Sequence, residues 1–216
     1  MRKVVIAALA AGSVLLSSAY AAAPETQAAS VPAKAAACMG CHGPDGNSPA
    51  DTWPKLAGQL PEYIQKQLHD FKAGLRKNEQ MSPMAQPLAD PDIAELAAYF
   101  SKQTVRPGEG KKELLAAGEQ IFNKGKGRPN VVAACIGCHG QTGGGRADWK
   151  ETMKTLPAFL APAIGGQHAA YLAKQLLAYK SGERANDPAR IMRDIAGRMS
   201  DDEIHAVSEY AATLKR

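Results

Sequence analysis

Two short stretches hold the residues best suited to chemistry: Cys38-Met39-Gly40-Cys41-His42 and, 97 residues later, Cys135-Ile136-Gly137-Cys138-His139. Between them they contain all four cysteines of the 216-residue chain. Cysteine and histidine can form disulfides, bind a metal or anchor a cofactor, and the spacing chooses among these. A disulfide framework gives no reason for a histidine directly after each second cysteine. With five His in 216 residues, finding one at both places by chance has odds of about one in two thousand. A zinc ribbon sets its cysteine pairs ~15–20 residues apart, far closer than Cys41 and Cys135. A thioredoxin-type pair sits in a βαβ unit, and no convincing strand pattern is present. What remains is covalent haem attachment, the chemistry of Cys-x-x-Cys-His. Residues i, i+3 and i+4 share one helical face. Cys38 and Cys41 can therefore form thioethers to the two vinyl groups of one haem while His42 presents its imidazole to the iron. Cys135, Cys138 and His139 repeat the arrangement, so the sequence predicts two covalently attached haem c groups and no disulfide.

The chain begins with Arg2 and Lys3, an apolar run from Val4 to Leu16 and the small-x-small pattern Ala19-Tyr20-Ala21. That is the layout of a secretory signal peptide, here residues 1–21. The run is shorter than the ~20 residues of a spanning helix, and the expected location is the periplasm. Loss of Arg2 and Lys3 lowers the formal charge from +5 to about +3. So weak a balance, with no basic stripe interleaved with aromatics, excludes nucleic acid as a partner class.

The chain is an internal duplication. "PKLAGQLPEYIQKQLHDFKAGLRKN" from Pro54 aligns without a gap with "PAIGGQHAAYLAKQLLAYKSGERAN" from Pro162. Gly58, Gln59, Tyr63, Lys66, Gln67, Lys72, Arg76 and Asn78 recur as Gly166, Gln167, Tyr171, Lys174, Gln175, Lys180, Arg184 and Asn186. The second copy carries extra residues after its haem motif, within the Gly-rich stretch Gln141–Phe159, and three more before its last block. Each copy ends on an amphipathic helical stripe: Ile93, Leu96, Ala97 and Phe100, then Ile204, Val207 and Ala211. Asp90 is the expected N-cap of the first, and Ser200 with Glu203 forms a capping box for the second. A middle helix near Glu62–Lys72 should bury Ile64, Leu68 and Phe71. The fold class is therefore all-α, with two tandem domains at 22–105 and 111–216 joined by a Pro- and Gly-bearing linker at 106–110.

An electron-carrying haem iron with one His takes a second axial ligand, and Met raises the potential. The repeat selects among the methionines. Met81 and Met192 stand at equal distances before Leu88 and Met199, which share a position ahead of the last helix. Met84 pairs with Ile195 and Met199 with Leu88, so both are expected in the core. His69, His168 and His205 have no histidine in the other copy and are expected to be structural or surface residues.

These residues resemble the dihaem cytochromes c4. "CHGPDGNSPADTWPKLAGQ", "KQLHDFKAG", "GGQHAAYLAKQL" and "LADPDIAELAAYF" follow that family's order over nearly the whole mature chain. The resemblance implies two class I cytochrome c domains related by a pseudo-twofold axis, with the haems near the domain interface. It implies that the carbonyls of Pro54 and Pro162 accept the Nδ1 protons of His42 and His139. It also places Leu56 and Ile164, in the Pro-x-(Leu/Ile)-x-Gly pattern, among the cofactor-binding residues. The implied protein is a monomeric electron carrier rather than an enzyme, soluble or peripherally associated with the membrane. Its implied partners are redox proteins: an upstream cytochrome or quinol-oxidising complex, and a terminal oxidase of the respiratory chain. The alternative is the cytochrome subunit of a periplasmic dehydrogenase, or a dihaem peroxidase.

Overall fold

The computed structural model describes residues 1, 31–146 and 160–216. The signal segment, Trp149, Met153 and most of the Gln141–Phe159 insertion lie outside the described residues. Among those described, the secondary structure is helical, with two isolated β-bridges, Lys126 to Val132 and Arg146 to Ala161. Val31–Arg216 forms one compact unit.

The helices come in two similar sets. The first half contains α1 (Ala35–His42), α2 (Pro61–Lys72), α3 (Met81–Ala85) and α4 (Asp90–Ser101). The second contains α5 (Lys112–Lys124), α6 (Ile136–His139), α7 (Ala169–Ser181), a 3₁₀ turn (Pro188–Arg190), α8 (Ile191–Ala196) and α9 (Asp201–Thr213). In each half the haem motif ends in a short helix that stops at a glycine with positive φ, Gly43 or Gly140. The chain then loops back and enters the middle helix through a second such glycine, Gly58 or Gly166, where φ is 63° or 73°. A side chain is strained at that φ, which accounts for glycine at this place in both halves.

The last helix starts differently in the two halves. Ser200 caps α9: its hydroxyl accepts from Glu203 N at 3.2 Å, and the Glu203 carboxylate accepts from Ser200 N at 2.8 Å. The N-cap of α4 is Ala89 rather than the expected Asp90. The Asp92 carboxylate takes the Ala89 N–H at 3.0 Å, which draws the helix start back one residue and leaves Asp90 in the first turn.

Two apolar clusters form the core. Ile64, Leu88, Ile93, Leu96, Ala97, Tyr99 and Phe100 build the first with Ala35, and Leu68 packs against it half-buried. The second includes Ile121, Phe122, Val132, Ala173, Met199, Ile204, Val207 and Ala211. In the second half α5 crosses α9 so closely that a Cβ at Gly118 would lie 2.1 Å from the Ala206 carbonyl oxygen.

The halves join through reciprocal hydrogen bonds. The Gln59 amide donates to Ala163 O and accepts from Ala163 N, at 2.8 and 2.9 Å. Gln167 does the same to Lys55, donating to its carbonyl and accepting from its N–H, both at 2.8 Å. Since Gln59 matches Gln167 and Lys55 matches Ala163 in the repeat, these are one contact made twice, as an approximate twofold relation requires. Arg216 adds an unrepeated contact: its guanidinium donates to Gly165 O at 2.6 Å and, across the interface, to Gly58 O at 2.6 Å and Ala57 O at 3.1 Å.

Candidate haem sites at the domain interface

A single cavity runs between the halves and receives both haem motifs. Its walls include Cys38, His42, Pro54, Leu56 and Met81 from the first half, and Cys135, His139, Pro162, Ile164 and Met192 from the second. None of the four cysteines is paired in a disulfide.

Both motif histidines are buried, at 5% and 7% exposure, and oriented alike. His42 Nδ1 donates to Pro54 O and His139 Nδ1 donates to Pro162 O, each at 2.8 Å. This bond fixes the ring plane and the tautomer, leaving the Nε2 lone pair for a metal. Burial pushes the imidazolium pKa of both rings below its ordinary value, against the opposing pull of the carbonyl bond, and so keeps them in the neutral form that ligates iron. Burial likewise raises the Cys38 thiol, helped by Cys41, and pushes Cys135 up to about 11.

The methionines separate by position. Met81 begins α3 and Met192 lies in the first turn of α8, and both side chains border the cavity. Met199 also borders the cavity, but it is 4% exposed within the second core cluster, and the residue matching it in the repeat is Leu88, which is not a ligand type. Met84, expected in the core, is 42% exposed and does not border the cavity. It falls on the solvent side of α3, a helix of only five residues whose buried side chain is Ala85. Trp53 is half-buried at the cavity wall, with its indole N–H on Gln80 Oε1 at 3.0 Å. Among the other histidines, His69 and His205 are exposed. His168 bridges the halves, its Nε2 lying 2.8 Å from the Ser48 hydroxyl.

A polar layer that the sequence reading passed over lines the same cavity. Arg76 donates to Gln67 in its own half, at 2.9 Å, and to Tyr171 OH and Gln175 across the interface, at 3.0 and 2.8 Å. Arg184 mirrors it, donating to Gln175 at 2.8 Å and crossing to Tyr63 OH and Gln67 at 2.9 and 3.0 Å. Each guanidinium also stands over a ring, Phe71 at 4.7 Å or Tyr179 at 4.6 Å. Neither arginine has a carboxylate among these partners, although Arg184 is only 7% exposed. Buried charge calls for a counter-charge, and haem propionates are anions that would supply it. The repeated Gln67/Gln175 and Arg76/Arg184 were visible as polar residues recurring beside apolar stripes. Their role was not legible, because each acts on the opposite half.

The donor set thus fits two haems: paired thiols, a neutral imidazole with a free Nε2, an apolar wall and unpaired cations for the propionates. Fold and site together define a dihaem c-type cytochrome. The family model for cytochrome c matches residues 30–104 and again 115–215. The cytochrome c4 of Thiocapsa roseopersicina is 46% identical over 179 residues, covering 83% of this chain and 88% of that protein. The crystal structure of reduced recombinant cytochrome c4 from Pseudomonas stutzeri matches with a TM-score of 0.75 at 42% identity, over 84% of this chain and 95% of that one. A thiosulfate dehydrogenase electron acceptor from Thiomonas intermedia (strain K12) is 37% identical, covering 88% of this chain and 84% of that protein. The chain belongs to the cytochrome c family, as a dihaem member of the cytochrome c4 type, and carries two covalently attached haem c groups.

Proposed function

We propose that this electron carrier works in the periplasm after removal of residues 1–21, with domains at 22–105 and 111–216, and delivers electrons to a terminal oxidase of the respiratory chain. Its upstream partner is another cytochrome or a quinol-oxidising complex. Cys38 and Cys41 would hold one haem and Cys135 and Cys138 the other, with His42 and Met81 as ligands of the first iron and His139 and Met192 of the second. When bound, the haems supply one-electron exchange between ferrous and ferric iron. The chain's own part is to orient the two imidazoles through Pro54 and Pro162, to wall the cofactors with Leu56 and Ile164, and to balance their carboxylates with Arg76 and Arg184.

The observation that carries this reading is that one cavity is bordered by both oriented histidines and by Met81 and Met192, the two methionines that match each other in the repeat. A methionine as second protein ligand to each iron would leave no open site for peroxide or another small ligand, which favours a carrier over a peroxidase. The fully reduced protein should not take up carbon monoxide. Met81→Ala should remove about half of the far-red sulfur-to-ferric-iron absorption and lower one potential; if Met84→Ala does so instead, the ligand assignment is wrong. Reading the chain as the acceptor of a dehydrogenase is supported by its 37% identity to the Thiomonas protein. Stopped-flow reduction of the holoprotein by a thiosulfate dehydrogenase, compared with its oxidation by a terminal oxidase, discriminates the two. No helix among the described residues is long and apolar enough to cross a membrane.

A further inference from the structure

The segments that carry the two cavity methionines are anchored in different ways. In the first half, Asn78 caps its own segment: its Oδ1 accepts from Gln80 N at 3.1 Å and Met81 N at 2.9 Å. In the second half, the matching Asn186 accepts from Arg184 Nε at 3.0 Å through its Oδ1, and its other bonds run across the interface. Its side-chain amide donates to Gln67 Oε1 at 3.0 Å and to Asp70 Oδ2 at 2.5 Å, and its carbonyl accepts from Lys66 Nζ at 3.1 Å. All three partners lie on α2 of the first half. Asp70 is 7% exposed and also accepts from Lys66, so its carboxylate is the centre of the clamp. The repeat places Ala178 opposite Asp70. Alanine cannot reach back to Asn78, so the anchoring runs one way only.

Between Asn186 and Met192 the backbone is strained. Ala189 has φ 51° and ψ 23°, and Arg190 has φ 61° and ψ 15°. They are the only non-glycine residues with positive φ among those described. The left-handed conformation crowds Cβ against the following carbonyl, and such strain persists only where its surroundings over-determine it. Here the fixing comes from both ends. Asp187, 7% exposed, accepts from Arg193 Nε at 2.7 Å and from Arg193 N at 3.0 Å, tying the turn to α8, while Asn186 is tied to α2. The first half lacks the three extra residues and has no such turn.

We propose that Asp70 of the first half is a positioning residue for the second haem: by clamping Asn186 it holds the strained segment that presents Met192, so the sixth ligand of the second iron depends on contact between the halves. This rests on the assignment of Met192 as that ligand. Loosening the clamp lets the turn relax, withdraws the sulfur and opens the second iron alone, while Met81, capped locally by Asn78, stays in place.

The test uses the full-length holoprotein with both haems. Asp70→Ala, which installs the residue found at the matching place in the second half, should weaken the far-red sulfur–iron band towards half. It should also allow carbon monoxide to bind at no more than one haem per chain, and lower one of the two potentials while the other stays put. Adding Met81→Ala to Asp70→Ala should then abolish the remaining band, which identifies the second haem as the one affected. Asp70→Asn, whose amide oxygen still accepts from Asn186, should keep the wild-type band and potentials. If Asp70→Ala does not fold, Asn186→Ala gives the same readings without stranding Lys66. A wild-type band and wild-type potentials in a folded Asp70→Ala or Asn186→Ala protein overturn the proposal, as does an effect on the first haem. Met192→Ala separates the two levels. If that variant halves the band and the Asp70 variant does nothing, only the clamp is wrong; if it leaves the band whole, the ligand assignment is wrong and the clamp falls with it.

Discussion

The two halves arrange similar helices around the same motif, yet their last helices are covered differently. In the second half, α9 lies against α5, and Ala206, Ser208 and Ala212 are buried. In the first half the residue matching Ala206 is Glu95, which is exposed, and the described core of α4 faces α2 and the cavity side. The second half therefore owns a helix pair that packs without the cofactor. Among the described residues of the first half, no helix matching α5 covers α4. The halves share, among the described residues, the site and the interface and differ in what covers the last helix.

The largest effect that tests this contrast comes from removing one haem at a time. Cys38→Ser with Cys41→Ser should leave one haem per chain by intact mass and cost more helical circular dichroism than Cys135→Ser with Cys138→Ser, because the latter leaves α5 on α9. Equal losses would mean that the helix pair is no independent core. Next in size is Gly118→Ala. Its new Cβ has no space against the Ala206 carbonyl, and an over-packed crossing of two backbones costs about 3 kcal/mol, measured by denaturant unfolding.

The reciprocal interface makes the opposite kind of prediction, an equality. Gln59→Ala and Gln167→Ala each remove two bonds across the interface and strand a buried N–H and carbonyl. Each should cost about 2–3 kcal/mol, the two agreeing within about 0.5 kcal/mol. A large inequality would show that the twofold relation is only geometric. The smallest effect belongs to His168, whose counterpart Leu60 cannot titrate. Burial, then the nearby Lys55, depresses its pKa below the ordinary 6.5, while the Ser48 carbonyl and Asp51 oppose them. A depressed imidazole binds fewer protons folded than unfolded, so its contribution is complete above pH 6.5 and is lost as the pH falls towards the lower folded value. Thermal melts from pH 7.5 to 5 should show a decline that His168→Leu reduces.

Much of this was readable along the chain because it is local. Five consecutive residues specify thioether and imidazole at helical spacing, and the gapless repeat exposes the duplication. Ser200 and Glu203 spell their own cap. Asp90 misled because the competing Asp92 carboxylate claims Ala89 and moves the helix start. Met84 misled because the pairing with Ile195 equates residues on helices of different length and setting; Ile195 packs on the second core cluster while Met84 meets solvent.

By itself, the sequence determined that there are two haem motifs, two histidines aligned with two recurring methionines, and helices whose apolar stripes face inward. Those properties depend on residues within a turn or two of one another, or on comparing the chain with itself. Only the tertiary structure decided which half Gln59, Arg76, Asp70 and Asn186 act upon. Their partners lie roughly a hundred residues away, at separations of 104 for Gln59 and Ala163 and 116 for Asp70 and Asn186. A hydrogen bond is set by the distance and angle between two groups, and for groups so far apart along the chain those are fixed by how the halves dock.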